Sequence, residues 1–164
     1  EGPHAAGVAA VAKRIIGQGE MMVEKQPGMA YALAGLAMQV GEAEPRIWPA
    51  LADELKASCC YCVPHYVRKP SAEAPLDEWD RWKASVGYGT KADGKTWESK
   101  REYYNRMAAR VTMYSTLLQQ GAVAHFTPPS EAMTWRPVPN PLGTATAWCW
   151  LARIVNQKPQ RITA

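Results

Sequence analysis

The sequence predicts an all-α fold, a stack of antiparallel helices of the kind found in bundles and HEAT-like arrays. Three observations predict it. Apolar residues recur at spacings of three and four over long stretches. No apolar–polar alternation of strand period lasts long enough to matter. The links between successive helical stretches are short, which sets neighbours side by side and antiparallel. The spacing is too irregular for a sequence repeat.

Residues 5–25 read as the first helix, with Val8, Val11, Ala12, Ile15, Ile16, Met22 and Val23 on one stripe and Lys13, Arg14, Gln18 and Glu20 mostly off it. Gly17 and Gly19 each weaken it by roughly 1 kcal/mol relative to Ala, so something must pack closely there. Pro27-Gly28 ends it. Residues 29–40 are apolar on every side, the pattern of a helix buried between neighbours, with Gly41 as its expected stop. Residues 46–58 form a third helix with Pro49 in its first turn, where a missing N–H costs nothing. Its Ile47, Trp48, Leu51 and Leu55 are expected to face inward. Pro64, Pro70 and Pro75 make 59–75 irregular. Asp77 is the expected cap of a short helix through Ser85 that carries Trp79 and Trp82. After a Gly- and Lys-rich loop, Thr96 is the expected cap of the longest helix, 97–120. Tyr103, Met107, Val111, Tyr114, Leu117 and Leu118 form its inward stripe, and Lys100, Arg101, Arg106 and Arg110 its outward face. Residues 121–143 hold Pro128, Pro129, Pro137, Pro139 and Pro141 and read as a long extended connection. A last helix, 144–157, shows Trp148, Leu151, Ile154 and Val155, with Trp150 on a different side.

A chain of 164 residues is one domain's worth and long enough to bury a core. No run approaches the ~18 apolar residues of a membrane span, so no membrane insertion is expected. The opening Glu1-Gly2-Pro3 lacks a signal-peptide profile, and both ends read as cuts from a larger C-terminal helical domain of which residues 1–164 are one all-α segment. Three of four cysteines are crowded together, which argues for a reducing compartment rather than a disulfide framework. A net charge of +4 permits an anionic partner without demanding one. With no recognised binding motif, sequence-specific nucleic-acid recognition is not expected.

Cys59, Cys60, Cys62 and His65 lie within seven residues and invite a zinc reading, as a structural module or an enzyme. Adjacent ligands point apart and no second pair follows, so the competing reading is small buried hydrophobes closing a helix. Nucleophilic catalysis would need a positioned base, and His65 beside Cys62 is sequence proximity only. Lys13-Arg14 and the basic residues of the 97–120 helix read as solvated faces or as contacts to a polyanion or acidic partner. Trp148 and Trp150 read as core anchors, whereas Trp135, in the Pro-rich connection, has the better claim on a partner.

The succession of a helix, Cys59-Cys60-Tyr61-Cys62-Val63-Pro64-His65-Tyr66, Leu76-Asp77-Glu78-Trp79-Asp80-Arg81-Trp82 and Val86-Gly87-Tyr88 resembles the C-terminal domain of the Gle-one family, mRNA-export mediators of the nuclear pore. Cys60 stands where that family has Pro. Ile16-Gly17-Gln18-Gly19-Glu20, Asn105-Arg106-Met107 with Tyr114, Ala147-Trp148-Cys149-Trp150-Leu151-Ala152-Arg153-Ile154 with Asn156, and Ile162-Thr163-Ala164 extend the likeness in order. The resemblance implies a HEAT-like domain similar to the middle domain of the translation-initiation scaffold. It implies a non-enzyme that binds a DEAD-box RNA helicase at the cytoplasmic face of the pore and stimulates its ATPase. In fungal members inositol hexakisphosphate bridges the two through Lys and Arg side chains. An FG-type nucleoporin and translation initiation and termination factors are further implied partners. Lys13 and Arg14 are the residues assigned to inositol hexakisphosphate or the helicase, and Trp135 to the nucleoporin.

Overall fold

The computed structural model describes residues 3–64, 66–120 and 140–157. Among them are six helices: α1 (Pro3–Lys25), α2 (Met29–Ala43), α3 (Ile47–Ser58), α4 (Leu76–Ser85), α5 (Lys100–Gln119) and α6 (Thr144–Val155). An isolated bridge between Thr90 and Trp97 is the extended pairing found among the described residues. Helix α1, not α5, is the longest, at 23 residues.

The core is the seam between α1, α2, α3 and α5. Ala12, Ile15, Ile16 and Val23 of α1 meet Ile47, Trp48, Leu51 and Leu55 of α3, and Tyr103, Met107, Met113 and Leu117 of α5, all buried. The expected stripes of the third helix and most of that of α5 are therefore the faces that pack, although Val111 is half-buried. Helices α1 and α5 run antiparallel, because Gly19 lies under Met113 while Glu24 reaches Asn105. At the other end His4 of α1 meets Glu44 and Arg46 in the α2–α3 turn, so α1 and α3 run the same way with α2 reversed between them.

Several expectations are corrected. Gly41 does not stop α2, which continues to Ala43; its bare Cα is where the Trp48 ring lies against the helix. Helix α2 is not buried on every side: Ala30, Leu33, Ala34, Ala37 and Met38 are covered, at the three- and four-residue spacing of one helix face, while Tyr31 and Leu36 are exposed. Helix α4 starts one residue before Asp77, with Pro75 at the N-cap, and the Asp77 carboxylate instead pairs with Arg81 at 2.9 Å. Thr96 does not cap α5. Asp93 takes the Thr96 hydroxyl and amide, and Ser99 caps α5 in a capping box with Glu102, two orphan groups satisfied reciprocally. In α6 the packed side is that of Ala147 and Trp150. Trp148, expected as a core anchor, is 68% exposed, and Leu151 and Val155 of the expected stripe are exposed as well. Trp150 turns inward because its indole N–H finds the Tyr61 carbonyl at 2.9 Å and its ring meets Tyr114 edge-on at 5.4 Å.

Candidate functional site

Lys13 and Arg14 occupy the middle of α1, adjacent to buried Ala12, Ile15 and Ile16 and pointing away from them. Both are exposed. The ion pairs of the described residues include neither of them. The helix holds two adjacent cations outward because the apolar period of the sequence fixes its other face against α3 and α5. Two exposed cations side by side can take a multiply charged anion by charge-assisted hydrogen bonds.

The α5 arginines behave differently from expectation. Arg106 and Arg110 turn inward, with side chains only 13% exposed. Arg110 reaches Glu20 of α1 at 2.5 Å and donates to the Ser58 carbonyl at the end of α3. Arg106 binds both oxygens of Glu98, donates to the Gly87 carbonyl at 2.6 Å and stands 3.8 Å from Glu20. Burial opposes the charge on Arg106, but the hydrogen bonds and charge of Glu98, with Glu20, outweigh it and hold its pKa above the ordinary arginine value. Gly87, at φ +85°, takes the left-handed conformation that Gly adopts without strain and brings its carbonyl to this cluster. These arginines are committed to the fold and are not available as ligands. Lys100 and Arg101 remain exposed.

The thiols of the 59–66 turn have separate surroundings. Cys59 and Cys62 are buried and free of disulfides. A hydrogen bond from the Cys62 thiol holds Cys59 down to about 7 against its burial, and the same bond together with burial pushes Cys62 well up. Cys60 sits 3.7 Å from the Tyr103 hydroxyl, and burial raises it to about 11. Among the described residues no three His, Cys, Asp or Glu side chains converge on a common point. His65, the fourth residue of the zinc reading, and Trp135 lie outside the described residues. Among the described residues no helix is long and apolar enough to cross a membrane.

The structure thus leaves Lys13 and Arg14 outward and draws Arg106 and Arg110 in. A signal for the latter was present: positions 103, 106, 107, 110, 114 and 117 share one helical face, so both arginines fall within the apolar stripe.

The family model described as GLE1-like protein matches residues 5–164. A Danio rerio protein named mRNA export factor GLE1 is 24% identical over 157 residues, which is 91% of this chain. The protein of that name from Rattus norvegicus is 25% identical over 153 residues, and that from Dictyostelium discoideum 24% over 123 residues. The chain spans 19% of the length of the vertebrate relatives and 14% of the Dictyostelium one. Its fold matches a chain in two solved structures, described as the S. cerevisiae Dbp5 L327V C-terminal domain bound to IP6 and to Gle1 H337R in one and Gle1 in the other. The TM-scores are 0.68 and 0.67 at 20% identity, over 92% of this chain and 45% of the solved one.

Proposed function

Because the chain belongs to the GLE1-like family, we propose that it is part of an mRNA export factor that binds a DEAD-box RNA helicase and stimulates its ATPase, with inositol hexakisphosphate bridging the two. The observation that carries this reading is the family match over residues 5–164. Residues 1–164 are then one segment of a larger C-terminal helical domain. The part played by this chain is that of a scaffold that acts on a partner's active site rather than one of its own.

Lys13 and Arg14 are the residues proposed to meet the inositol phosphate or the helicase. What supports them is their exposure, their adjacency and the lack of any carboxylate paired with them among the described residues. The nuclear pore, at its cytoplasmic face, is the proposed place of action. An FG-type nucleoporin, with Trp135 as its contact, and the translation initiation and termination factors are proposed further partners.

Calorimetric titration of the intact protein with inositol hexakisphosphate, run beside a helicase ATPase assay, tests the reading. Lys13→Glu together with Arg14→Glu is expected to weaken binding at least tenfold and to lower stimulation in step. Since the contacts are exposed, affinity should fall steeply with salt. Unchanged binding and stimulation in the double variant would remove these two residues from the site. No stimulation by the unsubstituted protein would remove the function.

A further inference from the structure

A groove of about 800 Å³ lies between the 66–69 segment, α4 and the start of α5. Its wall is a continuous run of rings. Trp79 stands edge-on to Trp82 at 5.8 Å, Trp82 tilts onto Tyr88 at 6.0 Å, and Tyr88 stacks on Tyr103 at 3.9 Å and 1°. Tyr104 closes the run, edge-on to Tyr103 at 5.4 Å. The wall is held rigid. Tyr103 donates to the Val86 carbonyl at 3.0 Å, and Trp82 donates to the Val67 carbonyl at 3.3 Å, tying the irregular segment to α4.

The lip of the groove is cationic. Arg68, Lys69, Lys83 and Lys100 line it, and among the described residues no carboxylate does. Lys83 is partly committed, 3.9 Å from Asp80 and over the Trp97 ring. Lys69 instead lies over the face of Trp79 at 5.1 Å, and Lys100 over the face of Tyr104 at 5.9 Å. These ammonium groups rest on the ring faces that a flat ligand would want.

We propose that this groove holds a short run of unpaired RNA, with bases stacked on Trp79 and Tyr104 and phosphates taken by Lys69, Lys100 and Arg68. A base that slides onto the Trp79 ring displaces the Lys69 ammonium from it, and the freed charge lies beside the next phosphate. Ring faces alternating with cations are what a sequence-tolerant single-strand site needs, since every base has a π-face and every nucleotide a charge. The modest net charge of +4 is no obstacle, because here the charge is concentrated on one lip. The contact reads no sequence. An acidic peptide would satisfy the cations, but it would leave the ring faces to whatever aromatic residues it carried. The proposal is independent of the Lys13–Arg14 assignment, whose residues do not line the groove.

Fluorescence anisotropy of a labelled oligouridine against the full chain tests it. Trp79→Ala is expected to weaken binding about tenfold, the usual loss for one stacked base. Lys69→Gln with Lys100→Gln, two exposed positions that leave the fold intact, should flatten the slope of log K against log salt by roughly 1.4, or about 0.7 per phosphate contact. Lys25→Gln, at an exposed cation that does not line the groove, should leave that slope unchanged. Equal affinity for duplex RNA, displacement by polyglutamate as readily as by RNA, or a Trp79→Ala or Lys69→Gln/Lys100→Gln protein that binds oligouridine as the parent does would each overturn the proposal.

Discussion

Replacing Glu20 by Ala removes the carboxylate that joins α1 to α5, and the structure fixes where the cost falls. Glu20 reaches Arg110 at 2.5 Å and Arg106 at 3.8 Å. Arg106 keeps Glu98 and the Gly87 carbonyl, so it loses little. Among the described residues Arg110 keeps only the Ser58 carbonyl, and its Nε is buried with no partner there. Breaking a buried pair from one side costs about 3–5 kcal/mol, because the remaining charge is neither solvated nor matched. Glu20 is 22% exposed, which admits some water to the gap and places the expected loss near the lower bound, about 3 kcal/mol. With a urea m-value of about 2 kcal/mol per molar, the unfolding midpoint should fall by about 1.5 M. Arg110→Ala should also destabilise, and the double variant should cost less than the sum of the two, with a coupling of about 2 kcal/mol. Because the pair is mostly covered, 1 M salt should change this coupling little. A Glu20→Ala loss under about 1 kcal/mol, or a coupling under about 0.5 kcal/mol, would refute the reasoning and return the α5 arginines to the surface as candidate ligands.

The glycines of α1 and α2 should respond in opposite directions in thermal melts. A methyl at Gly41 would enter the Trp48 ring, an overpacking cost of about 1–3 kcal/mol that exceeds the gain of about 1 kcal/mol in helix propensity, so Gly41→Ala should lower Tm. Gly17→Ala meets nothing within 4 Å among the described residues and should raise it. In chemical denaturation Trp150→Ala should cost about 2 kcal/mol, less than a fully buried Trp because the ring is half covered, whereas Trp148→Ala should stay within about 0.5 kcal/mol. The carboxyls of Glu44, bonded by Arg46, and Asp93, bonded by Thr96, are held down at about 2 from ordinary values of 4.5 and 3.8. Lowered values mean that their contribution to stability is complete above the ordinary values and is lost as pH falls through about 2. An NMR titration of the side-chain carboxyl carbons checks this, and a midpoint at the ordinary value, 4.5 for Glu44 or 3.8 for Asp93, would contradict it.

Helix existence was legible because it rests on local periodicity. The stripe Ile47, Trp48, Leu51, Leu55 needs no knowledge of what it packs against, and it is buried in full. What was not legible rested on distant partners. Trp148 and Trp150 are equally apolar, and a carbonyl 89 residues away decides which of them turns inward. A charge pattern alone put Arg106 and Arg110 outward, yet an acid on α1 makes burial affordable. Thr96 looked like a cap until Asp93 competed for it, and the Glu three residues after Ser99 was the stronger signal. For the candidate site the sequence supplied Lys13 and Arg14 as exposed cations. It gave no sign that Trp79, Tyr88, Tyr103 and Tyr104 share one wall, since that wall joins α4 to α5 through a loop.

The residues that carry the family likeness are largely those that hold the fold together. Glu20 of the Gln18-Gly19-Glu20 motif binds Arg106 and Arg110, and Gly19 lets Met113 approach α1. Asn105 reaches Glu24, Gly87 supplies a carbonyl to Arg106, and Trp150 reaches the Cys59–Tyr66 turn at Tyr61. Such motifs transmit a scaffold, so family membership alone does not say which surface meets a partner. A substitution at any of them lowers stability and should weaken every partner in parallel, as the folded fraction falls. Lys13, Arg14, Lys69 and Lys100 lie outside this framework and on two different surfaces. Substitutions there should leave the unfolding midpoint unchanged and separate one ligand from another. That contrast, parallel loss against selective loss at constant stability, is what distinguishes a binding residue from a structural one in this chain.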